Sequence, residues 1–502
     1  MATRSFAANG DSRSLSRLSF WPRVREFAVP ATMIETATAR RLAGDWAGAC
    51  AAAGFDVDLD LTSLARARGA ELAARVRSDL RHLAPDLLRW HLPRIAPDGL
   101  LRPGLTVPLA RYGEVRLVVR TAPAWADGGQ RLSLALWDGT PTFRPPGRHP
   151  HPRPSRRFRL DLHRHLWDAR RTNDLRARSG ADRDPTWSEP EGLTGLQERE
   201  ELPGLEGRGG LGDLAALAGP GDLAVLGGPG GPGGLPGLGG ASYGSRAAVG
   251  RWAEEARIVL RAEGRSHGTV AVRAGARRLV LDVGPDGVRV GAPPVPLPLA
   301  LPLLPDAATW VPPDLELLRA GAIEPGRLHP LVAAALVPGY APDAAPPPAP
   351  YDPGRPRAVE CRGALHRIGL VDGALAPLNH DPAEIRREEL LAALSGSPLP
   401  CLRAIDEAHR RPDCLAGVRE RLDHGDTAGA LAVVEGLLGP EAVLRDGALR
   451  EALEAAARRR TTYGLYRAGL VEPPRAAPGR TRHKDHRPRP RHAYAHPYRP
   501  GH

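Results

Sequence analysis

The chain has 502 residues with 69 basic and 57 acidic side chains, a formal charge of +12, and Gly and Pro together exceed a fifth of its length. A composition that rich in Gly and Pro means that part of the chain does not belong to packed structure. Lys484, in a His/Pro/Arg tail, is the single lysine, which excludes a Walker A loop, a protein-kinase strand lysine and a pyridoxal Schiff base.

Four cysteines, Cys50, Cys361, Cys401 and Cys414, with no close pair, form no disulfide framework and fit a reducing cytoplasm. No apolar run approaches the ~18 residues of a membrane span. The most apolar stretch, 295–304, is broken by Pro296, Pro298 and Pro302.

Residues 1–32 are rich in Arg and Ser and lack an apolar signal core. They read as a disordered leader or an over-extended gene start ahead of Met33. Residues 33–179 read as a small α+β domain, opening with helical pieces over 34–42 and 47–53. Asp56, Asp58 and Asp60 alternate with Phe55, Val57 and Leu59, the pattern of an edge strand with its acids outward. A calcium loop would need Gly in place of Leu61 and Glu in place of Ala67. Leu61, Leu64, Leu72, Val76, Leu80, Leu83 and Leu87 then recur at steps near three and four, one face of a helical stretch that Pro85 divides. Strands are expected over 114–121, 131–137 and 157–162, with a turn at Asp127-Gly128-Gly129.

Residues 180–248 contain a Gly/Pro/Leu run over 203–244 and read as a flexible low-complexity linker. A β-rich region with Pro-rich segments follows over 249–380. It has strands at 269–273, 278–283 and 288–290, and a hairpin of 365–371 with 374–378 around Asp372-Gly373. Residues 381–472 read as an α-helical domain. Asp381-Pro382-Ala383-Glu384 supplies an N-cap, a proline at N1 and a glutamate at N3. Further helices are expected at 401–410, 413–422, 427–438 and 448–460, joined by short breaks that make neighbours antiparallel. Residues 473–502 read as a disordered basic tail. The fold class is α+β: a small N-terminal domain, a linker, β-hairpins, and a C-terminal helical bundle.

One internal echo stands out. The eight residues from Gly44 to Ala51 and from Gly425 to Ala432 agree at six positions, and an Arg-Leu pair precedes each copy. Gly to end one helix and Asp to cap the next describe a helix–turn–helix.

The motifs carry little chemistry. Asp406-Glu407-Ala408-His409 spells a DEAH box but falls on a helical pattern without a partner lysine, so it reads as a solvated face. The G-x-G-x-x-G matches starting at Gly207 and Gly228 lie inside low-complexity sequence, with no strand before them or helix after. Cys361 with His366, and Cys401 with His409 and Cys414, are soft metal ligands, but no C-x-x-C appears. The thiols read as small core residues and no metal site is assigned. No G-x-S-x-G or H-E-x-x-H occurs, so no catalytic or cofactor-binding residue is named and no cofactor is expected.

The basic charge is local. It is +3 over 1–32, +7 over 475–502 and +8 over 141–180, and the remainder of 33–474 sums to −6. The segment 141–180 and the tail, where Tyr494 and Tyr498 alternate with Arg and His, have the residue types that track phosphates and stack bases.

Three segments carry a family resemblance: His82 to His91, Pro400 to His409, and Arg419 to Gly439. They resemble uncharacterised high-GC actinomycete (Streptomyces-type) proteins, with the likeness covering 33–165 and 357–470. That family accompanies MoxR-type AAA+ ATPases and von Willebrand A-domain proteins. The resemblance implies an accessory or client-binding component and carries over no catalytic residue. The sequence therefore reads as a non-enzymatic cytoplasmic adaptor with protein partners and no membrane association. The alternatives are a nucleic-acid-associated protein using 141–180 and the tail, and an enzyme of unrecognised type.

Overall fold

The computed structural model describes residues 20–139, 149–182, 224–226, 247–275, 277–285, 287–291, 301–340, 357–361, 363–395 and 399–471. The first element is helix α1 (Trp21–Phe27), with Val24 and Arg25 buried. Val24, Ala28 and Val29 belong to the N-terminal core, so the leader expected to reach residue 32 is corrected. Packed structure is present from residue 20, and 1–19 lie outside the described residues. Helices α2 (Ala31–Leu42) and α3 (Trp46–Ala52) form a hairpin, close to the expected pieces.

The amphipathic stretch becomes three helices, α4 (Leu61–Arg68), α5 (Ala70–His82) and α6 (Pro85–His91). The extra break falls at Gly69, whose φ of 96° suits glycine alone. The helices cover a four-stranded sheet of β1 (Phe55–Asp58), β2 (Thr106–Tyr112), β3 (Val115–Thr121) and β4 (Leu132–Trp137). Strand order is β1-β4-β3-β2, with β1 parallel to β4 and the remaining pairs antiparallel. Strand β2 escapes the sequence pattern because it carries Pro108. At a sheet edge, with the register shifting between Pro108 and Ala110, the missing N–H is tolerated. The strand expected over 157–162 is corrected: Leu160–Leu162 and Arg164–Leu166 are single 3-10 turns. The Leu160 carbonyl instead accepts the Trp167 indole N–H at 3.0 Å.

Helix α7 (Asp174–Ser179) leads out of this part, and 183–223 and 227–246 lie outside the described residues. A short strand inside the expected linker, β5 (Ala224–Leu226), pairs antiparallel with β8 (Val288–Gly291), which corrects that stretch. With β6 (Gly268–Ala274) and β7 (Arg277–Val283) these make an antiparallel sheet in the order β5-β8-β7-β6, as the turn signals indicated for its last three strands. Helix α8 (Val249–Ala262), absent from the sequence reading, lays Trp252, Ala256, Val259 and Leu260 on that sheet.

The region 249–380 is not one β-rich body. Prolines start helices there, with α9 (Asp306–Thr309) following Pro305, and α10 (Pro313–Arg319) and α11 (Pro330–Leu336) opening on proline. Leu317, Leu328 and Val332 rejoin the N-terminal core beside Leu80 and Leu87.

The C-terminal body begins with β9 (Arg357–Cys361), β10 (Ala364–Val371) and β11 (Ala374–Pro377), an antiparallel sheet in the order β11-β10-β9. Asp372 and Gly373 turn the hairpin with φ of 50° and 76°, the positive pair that a type I′ turn requires. Five helices follow: α12 (Pro382–Ser395), α13 (Pro400–Arg410), α14 (Leu415–His424), α15 (Thr427–Leu438) and α16 (Ala448–Arg467). The sheet packs on α13, so the boundary expected at 381 is corrected and the hairpin belongs with the helices.

The internal echo is a shared turn. Asp45 and Asp426 cap α3 and α15 by accepting the Gly48 and Gly429 N–H groups at 2.8 and 2.9 Å. Each carboxylate also takes an arginine five residues back, Arg40 and Arg421, both at 2.8 Å. A Cβ at Gly48 or Gly429 would lie 2.0 or 2.1 Å from that carboxylate, which is why glycine recurs at this position.

The two bodies meet at Arg89. Its buried guanidinium donates to the carbonyls of Ala28 (3.0 Å), Gln130 (2.7 Å) and, across the boundary, His424 (2.7 Å). Arg89→Leu leaves three buried carbonyls without donors, and a loss of about 3 kcal/mol or more is expected in denaturant titration of the full chain. Asp426→Ala, which removes a helix cap and its ion pair with Arg421, is expected to cost about 1–2 kcal/mol by the same measurement.

Candidate functional site

The groups that sequence reading scattered come together in one place. On β9 and β10, Cys361 stands opposite Ala364 and Val359 opposite His366, so Cys361 and His366 share a face as diagonal neighbours. Helix α13 covers that face, and Pro400 at its start sets Cys401 in the first turn. His380 arrives from the turn between β11 and the capping Asp381 of α12. One ligand atom each from Cys361, His380 and Cys401 lies within 4.8 Å of the other two. The His366 ring stacks on His380 with centroids 3.8 Å apart and planes 14° from parallel. Both cysteines are fully buried. Burial, then contact with Cys361, pushes the Cys401 thiol up to about 11.

This corrects the grouping of Cys401 with His409 and Cys414. Cys414 sits at the N-cap of α14 and His409 in the last turn of α13, and neither joins the cluster. His380 was missed because nothing in its spacing links it to either cysteine. The available signal was a soft ligand beside each of two helix-starting prolines, Pro382 and Pro400.

The Asp56–Asp60 acids are an edge strand, and their partner is the last helix. Asp56 accepts hydrogen bonds from Arg131 and Tyr463, and Asp58 from Arg467 at 2.6 Å. Asp60 caps α4 through the Thr62 and Ser63 N–H groups. Asp406 of the DEAH segment is bound by Arg410 (2.7 Å) and Arg445 (2.8 Å), an ion-paired surface turn. The two glycine-rich matches lie outside the described residues.

Between 149 and 180 most of the arginines of the basic run are bound internally. Arg157 meets Asp306 (2.6 Å), Arg159 meets Asp161 (2.8 Å), and Arg164 and Arg170 share Asp168 (2.9 and 3.0 Å). Arg178 meets Glu255 at 2.6 Å, and Arg176 donates to the Leu336 carbonyl at 3.2 Å. Asp306 and Glu255 come from segments 149 and 77 residues away, so a charge count over the run could not register them. Residues 140–148 and the C-terminal tail lie outside the described residues.

A pocket at the junction of β3, β4 and α16, lined by Arg120, His149, Tyr463 and Tyr466, encloses about 10 Å³, room for a single water. A second hollow beside Glu35, Arg40 and Asp45 is an open surface depression of about 580 Å³. No helix among the described residues is long and apolar enough to cross a membrane.

Histidines make the fold acid-sensitive. Burial lowers His91, His149 and His424 to about 4, with the neighbouring Arg94 guanidinium acting in the same direction on His424. Each is held neutral in the fold and protonates near 6.5 once exposed, so its contribution is complete above pH 6.5 and lost as pH falls towards 4. Burial opposes ionisation of Glu255, but the His163 ring 3.4 Å away and the hydrogen-bonded Arg178 guanidinium hold its carboxyl at about 2, which adds a loss between pH 4.5 and 2. Burial also holds His165 neutral in the fold, so unfolding near pH 5 is expected to take up about four protons. The slope of stability against pH reads this number, and His149→Asn should lower it by about one.

Searches against family models, curated proteins and solved structures return no match to the chain.

Proposed function

We propose that the chain is a non-enzymatic cytoplasmic adaptor whose C-terminal body docks a protein partner on the face formed by β10, β11 and α12. One observation carries this reading. Of the twelve large apolar side chains exposed among the described residues, seven fall between 365 and 394: Leu365, Leu370, Val371, Leu378, Leu390, Leu391 and Leu394. Exposed apolar side chains concentrated in one short segment support an interaction site rather than ordinary surface.

Helix α12 sharpens the point. None of its described side chains is buried, and Glu384 in its first turn faces His380 at 3.7 Å. A 14-residue helix with so little burial is marginal on its own. A partner that covers Leu390 (69% exposed) and Leu394 (87% exposed) would supply the packing the helix lacks. The reading takes the partner to be a protein with a complementary apolar groove. The four cysteines are free thiols, in keeping with a reducing compartment. Internal pairing of the arginines in 149–182 disfavours nucleic acid as the occupant of that segment.

The resemblance stated above makes a MoxR-type ATPase or a von Willebrand A-domain protein the first partner to try. Binding of the purified partner to immobilised full-length chain is the measurement. Leu390→Ser with Leu394→Ser leaves the packed cores untouched and is expected to weaken capture at least about tenfold. Equal capture by both chains overturns the reading.

A further inference from the structure

We propose that Cys361, His366, His380 and Cys401 bind one zinc ion in a closed tetrahedral site that fastens the β9–β11 sheet to α13. The site is independent of the docking face. Its donors are two thiols and two imidazoles, the set that selects zinc among the common divalent ions when no open position is left for substrate. Around tetrahedral zinc, with bonds of about 2.0–2.3 Å, ligand atoms stand roughly 3.3–3.8 Å apart. Cys361, His380 and Cys401 lie within 4.8 Å of one another, so an approach of about 1 Å closes those three, and His366 joins as the fourth ligand by turning out of its stack on His380.

The histidines point to a metal rather than to chance proximity or a disulfide. His380 Nε2 and His366 Nδ1 are buried and lack a hydrogen-bond partner, which is costly for a polar atom unless something else satisfies it. The other His380 nitrogen, Nδ1, faces the Glu384 carboxylate at 3.7 Å. A carboxylate behind one ring nitrogen orients the opposite nitrogen of a metal-binding histidine and raises its basicity. A disulfide between Cys361 and Cys401 would leave both imidazoles without a role.

The need for a fastening is visible in the packing. From 357 to 395, Cys361 and Ile368 are the only apolar residues among the described ones that are fully buried. Three strands and a free helix with so small a core do not hold a fixed arrangement without a staple, and a structural metal is the usual one in a reducing compartment.

The full-length chain, purified under reducing conditions, is expected to carry one zinc. After chelation it should take up one Co²⁺ with tetrahedral visible bands and thiolate-to-cobalt charge-transfer absorption. The thiolate band separates this site from the tail histidines His483, His486, His492, His496 and His502, which offer no sulfur. Cys361→Ser or Cys401→Ser should abolish the band, and His366→Ala or His380→Ala should weaken cobalt binding at least about tenfold. Cys414→Ser and His409→Ala should leave it unchanged. Hydrogen exchange should show protection over 357–410 lost on chelation, with the N-terminal core unaffected.

A thiolate band that fails to form at one equivalent overturns the site, as does one that survives in Cys361→Ser, or a Cys361–Cys401 disulfide in freshly isolated chain. Unchanged affinity in His366→Ala overturns the assignment of the fourth ligand. Should a cysteine variant fail to fold, cobalt titration of the refolded metal-free wild-type chain decides the question by itself.

Discussion

The guanidinium of Arg89 is the constraint on which the relative placement of the two bodies depends. Three carbonyls, from the end of α1, from the turn before β4 and from the end of α14, converge on one buried cation. Burial, with the nearby positive charge of Arg131, lowers its pKa only to about 10, so it stays charged at neutral pH. Its donors form a rigid fork, and any carbonyl that shifts leaves a buried N–H unpaired. The boundary is also tight: a Cβ at Gly425 would come within 1.9 Å of the Gly129 carbonyl oxygen. Close backbone approach and a fixed fork together allow one docking geometry.

The same short helix anchors the rest of the interior. Helix α6 buries charged and polar groups that normally face water, and each has a dedicated partner. Asp86 pairs with His329 at 3.0 Å, and the Trp90 indole N–H donates to Asp314 at 2.9 Å. Asp314 also accepts from Arg25 of α1 at 2.8 Å. Helix α1, α6 and the 301–340 segment are thereby wired into one polar network inside an apolar core. Buried polar groups paired in this way specify an arrangement because a shifted packing loses the pairing.

Local signals were legible and long-range ones were not. Asp426 as a cap, Asp372-Gly373 as a hairpin turn and the Thr427–Leu438 helix follow from rules that act over a few residues, and the structure has them where expected. The pairing of β2 with β3 hid behind Pro108, and α8 hid because its apolar face is interspersed with Arg251, Glu255 and Arg257. The burial of Arg25, Asp86, Arg89 and Asp314 has no signal in the local sequence, since it depends on partners 41 to 335 residues away. The metal-type cluster was half visible. Cys361 and His366 sit on one hairpin, whereas His380 and Cys401 reach it only because α13 packs on the sheet. The seven exposed apolar residues were not legible, because an apolar residue in a strand or helix is assigned to the core by default.

The clasp between the last helix and the first strand bears on how the chain comes to be folded in time. Tyr463 and Arg467 reach Asp56 and Asp58 across 407 and 409 residues of sequence. During synthesis the N-terminal sheet can assemble long before α16 exists, and its β1 edge then waits with two carboxylates facing water. Contacts of such separation form last and slowly, because a long loop must close before they give any return. Charged side chains on an edge strand discourage pairing with a stray strand during that wait. The aspartates therefore serve twice, first as guards of an unfinished edge and then as the latch that closes once α16 has been made.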